Sequence, residues 1–163
     1  MDILSTELRV GITLLRQRAI EADIFRAMYL TLAETLGKNA ALEAVRRAAC
    51  DLAAQAGRAF AFGAPGGASF AHFKTVVDLW RGSGALSIEN VQSGPDELSF
   101  EVTRCAYVET YREMGLPEEL VGLVSCCRDE PFATAYSPHI VMERPETIGT
   151  GAPRCCFRFT WKD

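Results

Sequence analysis

Apolar residues recur at every fourth position through the first part of the chain. Ile20, Ile24, Met28 and Leu32 form one stripe, with Glu21, Arg26 and Glu34 off it, so the span from about Ile3 to Leu36 predicts one or two helices. Gly37-Lys38-Asn39 breaks the pattern, as a glycine after the last periodic residue does at a helix C-terminus. A second predicted helix carries Leu42, Val45, Ala49, Leu52, Ala53 and Ala56 on one face, and its alanines allow a neighbouring helix to approach closely. Glu43, Arg46, Arg47, Asp51 and Arg58 form its opposite, solvated face. The segment from Phe62 to Gly67 reads as a loop without phosphate-binding spacing. Ser69 is then a predicted N-cap for a third helix bearing Phe70, Phe73, Val76, Val77 and Trp80. His72 beside that stripe has no acidic or Cys neighbour and reads as structural or exposed.

After Arg81-Gly82-Ser83-Gly84 the apolar period drops from about 3.6 to 2. Leu86, Ile88 and Asn90 alternate with Ser87, Glu89 and Val91; Ser93 to Asp96 is turn chemistry; Leu98, Phe100 and Val102 resume the alternation. This predicts a β-hairpin ending at Cys105, followed by a short helix from Tyr107 to Met114. Gly115 and Pro117 separate that helix from another, which runs to about Ser125 and delivers Cys126-Cys127. Ile140, Met142 and Arg144 alternate with His139, Val141 and Glu143 in a third strand. A Gly-rich link leads to a fourth, in which Cys155, Phe157, Phe159 and Trp161 share the inward face and Cys156, Arg158 and Thr160 the other. The expected fold is α+β, with N-terminal helices packed on a C-terminal antiparallel sheet of about four strands. One domain over 1–163 is expected, mainly helical over 1–82, with hairpins and short helices carrying the site over 83–163.

Composition narrows the function. A chain of 163 residues can bury a substantial core, and its net charge of −4 argues against a nucleic-acid surface. No apolar run approaches the roughly 20 residues that span a bilayer, and MDILSTELRV lacks a basic-then-apolar leader pattern. A cytoplasmic protein without membrane or nucleic-acid partners is expected. In that reducing compartment the six cysteines read as free, catalytic or metal-bound, and the doublets Cys126-Cys127 and Cys155-Cys156 lack CxxC spacing. The long N-terminal helices offer a surface for a homo-oligomer.

The dense chemistry lies between Ser125 and Trp161. Cys105, at a strand-to-helix junction, would feel the helix dipole, which lowers a thiol's pKa. Cys126 sits at a helix end and Cys155 faces inward, with Asp129, His139, Glu143 and Arg144 nearby in sequence. A thiolate needs a base or a positive field, and an oxyanion needs donors; both types are present. Buried cysteines also serve as small hydrophobes. Cys105, Cys126, Cys155 and His139 match zinc ligands in type but not in spacing, so no cofactor is expected. Arg144 can equally pair with Glu143 or Glu146, and Asp129 can cap the turn before Pro131.

Three segments carry a family resemblance: Cys126-Cys127-Arg128-Asp129, Arg144 to Ile148, and Gly151 to Phe157. With EVTRCAYVETYREMG (Glu101 to Gly115), they resemble the L-2-amino-thiazoline-4-carboxylate hydrolases, most closely from Leu98 to Trp161. The resemblance implies hydrolytic opening of a small cyclic amidine or amide at a carbon–nitrogen bond, as in conversion of the aminothiazoline to N-carbamoyl-cysteine. It places Cys105, Cys126, Asp129, Arg144, Thr147 and Cys155 at motif positions. On that basis Cys126 or Cys105 attacks the ring carbon, Asp129 or His139 moves protons, and Arg144 holds a substrate carboxylate, with Thr147 and Cys155 in the binding wall. Attack by activated water is the mechanistic rival. Two positions depart from the family: Cys156 stands where an acidic residue is frequent, and Pro145 follows the motif Arg, where it would disturb a strand unless at an edge. The C-terminal half also looks somewhat like small-molecule-binding domains of the 4-vinyl reductase type, which would make the chain a sensor or carrier. An assembly protein oligomerising through its N-terminal helices is a third reading.

Overall fold

In the computed structural model, residues 11–162 are described. The leader reading of MDILSTELRV and the predicted helical turns before Gly11 lie outside them. Helix α1 (Leu14–Leu36) starts where the Thr13 hydroxyl accepts the Arg16 N–H at 3.2 Å, and it stops at Gly37. Gly37 takes a positive φ of 85°, which glycine adopts without strain, and α2 (Lys38–Phe62) begins at once.

Of the face predicted on α2, Val45, Ala49 and Ala53 are buried, joined by Ala41 and Gly57; Leu42 and Ala56 are half-buried and Leu52 is exposed. Its close neighbour over the C-terminal half is α7 (Asp129–Tyr136), a helix not predicted above. Pro131 reads as a breaker there, yet it falls in the first turn, where its missing N–H costs nothing. A Cβ on Gly57 would stand 2.1 Å from the Phe132 carbonyl oxygen, so the two backbones touch only because residue 57 has no side chain.

The stripe predicted on α1 faces outward except at Leu32, which packs against the core. Ile20, Ile24 and Met28 are 51%, 57% and 48% exposed, whereas Ala22, Phe25 and Tyr29 are buried. Two stripes lie side by side on this helix. The aromatic one faces inward, where the Tyr29 hydroxyl donates to Glu119 Oε1 at 3.0 Å.

The third predicted helix is two: α3 (Phe70–Phe73), capped by Ser69, and α4 (Val76–Arg81). Strands β1 (Leu86–Ser93) and β2 (Glu97–Cys105) form the expected hairpin. Asn90 leaves the alternation: it sits at φ 53° where the β1–β2 register slips, a bulge in an edge strand. Short helices α5 (Ala106–Glu113) and α6 (Glu118–Val124) follow, then a 3₁₀ turn at Cys126–Arg128 that runs into α7. Strand β3 (Ile140–Glu143), a 3₁₀ turn at Ile148–Thr150 and β4 (Cys155–Trp161) complete the chain. The sheet is antiparallel throughout, in the order β1-β2-β4-β3. Because β3 is an edge strand ending at Glu143, Pro145 breaks no ladder.

Two apolar clusters hold these layers. One packs the inward faces of β2 and β4 (Leu98 against Phe159, Phe100 against Phe157, Val102 against Cys155) under α3, α4 and α7. The other joins α1, the first half of α2, α5 and α6. Leu86, Cys105 and Ile148 touch both clusters, and that seam is where the cavity opens. Among the described residues no helix is long and apolar enough to cross a membrane.

Candidate functional site

A cavity of about 360 Å³ lies between the two clusters. Helix α2 contributes Ala53, Ala56 and Phe60, α4 contributes Trp80, and the sheet contributes Val102, Cys155 and Phe157. These residues make one end apolar and aromatic. The remaining wall carries Cys105, Cys126, Asp129 and Arg144, together with Arg18, Arg128, Tyr107, Tyr111 and Ser125. The three cysteines marked in the sequence therefore reach one cavity from three elements: the end of β2, the turn after α6, and β4.

Asp129 is the first residue of α7, and Arg144 follows the end of β3. One Arg144 Nη donates to Asp129 Oδ2, and the other donates to the Cys126 carbonyl at 2.8 Å. The guanidinium also lies 5.1 Å from the Phe157 ring centroid, a cation–π contact. Arg144 thus pairs with Asp129, not with Glu143 or Glu146. Both its Nη groups are engaged within the protein, while its buried Nε has no hydrogen-bond partner among the described residues. Asp129 keeps 23% of its side-chain surface, and that surface is cavity wall. Burial pushes its carboxyl up to about 6, although the Arg144 charge and hydrogen bond pull the other way.

Burial also raises the thiols. Cys105 is pushed up to about 12: the N–H groups of Val108 and Tyr107 at the start of α5 oppose the shift, but desolvation outweighs them. The lowering expected from the helix dipole is thereby overturned. Burial pushes Cys155 up to about 11, with the Ile148 N–H donating to its sulfur at 3.2 Å. Cys126 is raised first by burial and then by Asp129, against the nearby Thr147 hydroxyl, Arg144 guanidinium and Gly149 N–H. A Cβ on Gly149 would lie 2.6 Å from the Cys126 sulfur and 3.0 Å from Gly122 Cα, so the thiol rests directly on the backbone of the 148–150 turn. Thr147 caps that turn by accepting the Thr150 N–H at 3.2 Å; it is buried behind the wall.

His139 is not part of this group. It is exposed, stacks on Trp161 and bonds the Lys162 carbonyl, so proximity in sequence misled its assignment as a proton carrier. Nor does the zinc arrangement form: among the described residues no three His, Cys, Asp or Glu side chains stand close enough to hold a metal ion. Cys127 turns from the cavity, donating to the Leu123 carbonyl at 2.6 Å, with the Cys50 sulfur 3.6 Å away. Cys156 lies on the sheet's other face. Arg18, Arg128, Tyr107 and Tyr111 were not singled out by sequence; the one available signal was that Arg128 sits between Cys126 and Asp129 in a marked motif.

The family model described as L-2-amino-thiazoline-4-carboxylic acid hydrolase matches residues 17–159. The chain belongs to this family. Membership in the aminothiazoline-carboxylate hydrolase family supports a hydrolase-type role. Among solved structures, the phenol-responsive sensory domain of the transcription activator PoxR, crystallised with phenol, resembles it at 17% identity. The likeness covers 88% of this chain and 74% of that one, with a TM-score of 0.53, and it concerns the fold alone. No curated protein matches the chain.

Proposed function

We propose that this chain hydrolyses a small cyclic amidine or amide, with Cys126 as nucleophile and Asp129 as proton carrier. The observation that carries this reading is Asp129: a carboxyl held by Arg144 in the wall beside Cys126, poised at about 6. A group that titrates near neutrality can both take and return a proton, a contribution typically worth on the order of 10²–10⁴-fold in rate.

Burial keeps Cys126 protonated at rest, so attack and deprotonation coincide. The sulfur–hydrogen bond breaks as a sulfur–carbon bond forms to the ring carbon, and the proton passes to Asp129. Asp129 returns it to the departing ring atom and the ring opens. Water then attacks the same carbon, losing its proton to Asp129; the sulfur–carbon bond breaks and Cys126 recovers the proton. One water has been added. For an aminothiazoline that becomes N-carbamoyl-cysteine, atom balance puts the broken bond at ring carbon–sulfur, since the carbamoyl carbon keeps the ring nitrogen. The carbon–nitrogen cleavage inferred from the resemblance applies to a cyclic amide. Arg144 fixes Asp129 and the Cys126 backbone, and Cys155 ties the 148–150 turn to β4.

The test is turnover of cyclic amides, imides and amidines, followed by chromatography and mass spectrometry, in wild type, Cys126→Ala and Cys105→Ala. Loss at Cys126 with activity retained at Cys105 supports the assignment; retained activity in Cys126→Ala hands the attack to water. A second reading, a small-molecule receptor, draws on the apolar end of the cavity and on the fold shared with a sensory domain. It predicts saturable binding of unchanged ligand and no turnover.

A further inference from the structure

Arg128 is a charged cavity residue that the hydrolytic scheme leaves unused. It is 7% exposed, and among the described residues neither of its Nη atoms finds a hydrogen-bond partner. Glu21 is the carboxylate beside it and forms an ion pair with it, but its hydrogen bonds go elsewhere. Oε2 accepts from Arg18 at 2.5 Å, Oε1 accepts from Gln17 at 2.9 Å, and Arg128 Nη1 stands 3.4 Å from Oε2 without a hydrogen bond. Two guanidinium groups therefore share one carboxylate, leaving an excess positive charge on this side of the wall. The Arg144–Asp129 pair is balanced by contrast.

Native proteins rarely leave a buried guanidinium unsatisfied, because its desolvation is not offset. The same residue would be well used if a bound group completed its shell. Tyr111 and Ser125 line this part of the wall, and both arginines act electrostatically on the Tyr111 hydroxyl. We propose that Arg128, supported by Arg18, is the anion-binding pole of the cavity and receives a carboxylate of the ring ligand. Arg144, the residue expected to do this, is committed to Asp129. Both Nη atoms are buried from water. On this proposal the Arg128 side chain rotates to bring its fork to the ligand. The ligand then enters with its charge toward α1 and its ring against Trp80 and Phe157.

The assignment of the carboxylate to a ring substrate rests on the hydrolase reading; the pole itself does not. Calorimetric titration with benzoate and benzamide, matched in shape and differing in charge, tests it without turnover. Wild type should bind benzoate on the order of tenfold or more tighter, the range of a charge-assisted pair. Arg128→Met should lose that preference while keeping or raising the melting temperature, since a buried guanidinium without hydrogen bonds at either Nη is replaced by apolar volume and Glu21 keeps Arg18 as its partner. Equal binding of both probes by wild type overturns the proposal. So does an Arg128→Met protein that keeps the preference, or one that melts earlier with the preference intact. If Arg128→Met fails to fold, Arg18→Gln gives the second reading: a weakened benzoate preference supports the pole and an unchanged one overturns it. A benzoate preference without turnover of any ring would sink the hydrolase reading and leave the pole standing. Turnover of neutral rings without the preference would do the reverse.

Discussion

Asp129→Asn should make the protein more stable at neutral pH and remove one component of its pH dependence. The folded carboxyl titrates at about 6, against an ordinary value of 3.8. The folded state thus holds this proton more tightly than the unfolded chain does. Its stabilising contribution is complete below pH 3.8 and is lost as pH rises through 6. The difference in proton affinity amounts to ~3 kcal/mol. Asparagine resembles the protonated acid in shape and charge, so the two proteins should match near pH 4. By pH 7 the variant should lead by up to ~3 kcal/mol. Urea denaturation of both proteins at several values from pH 4 to 7.5 gives the difference directly, with contributions from other groups cancelling. A competing expectation exists: removing one partner of a buried ion pair usually costs roughly 3–5 kcal/mol, because Arg144 would be left alone. A variant that is less stable at pH 7, or a difference that does not change with pH, refutes the claim that Asp129 is a destabilised, proton-binding carboxyl.

Three further substitutions probe the frame around it. Gly57→Ala drives a Cβ toward the Phe132 carbonyl, a backbone atom that cannot step aside. Overpacking of this kind costs ~1–3 kcal/mol and should lower the melting temperature by roughly 2–12 °C in calorimetry. Gly149→Ala displaces the Cys126 sulfur, and kcat/KM for ring opening should fall on the order of 10–100-fold, as small misplacements of a reacting group do. Arg144→Lys cannot hold both Asp129 and the Cys126 carbonyl, so it should lower the melting temperature and move the acid limb of the pH–rate profile upward.

The sheet was legible in the sequence because its period of two is unambiguous: Leu98, Phe100 and Val102 face Phe159, Phe157 and Cys155 as the alternation requires. The face of α1 was not. Ile20-Ile24-Met28 and Ala22-Phe25-Tyr29 are both helical stripes, and only the neighbours that α5 and α6 bring up decide between them. Helix α7 was hidden because Pro131 signals a break wherever its position within a helix is unknown. The convergence of three cysteines could be read from element ends and strand faces. The state of Cys105 could not, since the helix terminus and burial oppose each other and only the packed structure weighs them. His139 was chosen by residue type and sequence proximity, but it sits just before β3, exposed and stacked on Trp161. Arg128 was passed over because what marks it, Nη atoms buried without hydrogen bonds among the described residues, is a property of three dimensions.

The central claim is that this cavity opens a ring with water. The most direct measurement is incubation of wild-type protein, at catalytic ratio, with L-2-aminothiazoline-4-carboxylate in ¹⁸O-labelled water, read by mass spectrometry. The account predicts many turnovers to a ring-opened product carrying one labelled oxygen, and none from Ala56→Trp, which fills the cavity from α2. Unchanged substrate recovered from wild type across the panel of cyclic amidines and amides, alongside saturable binding of the same compounds, would contradict it.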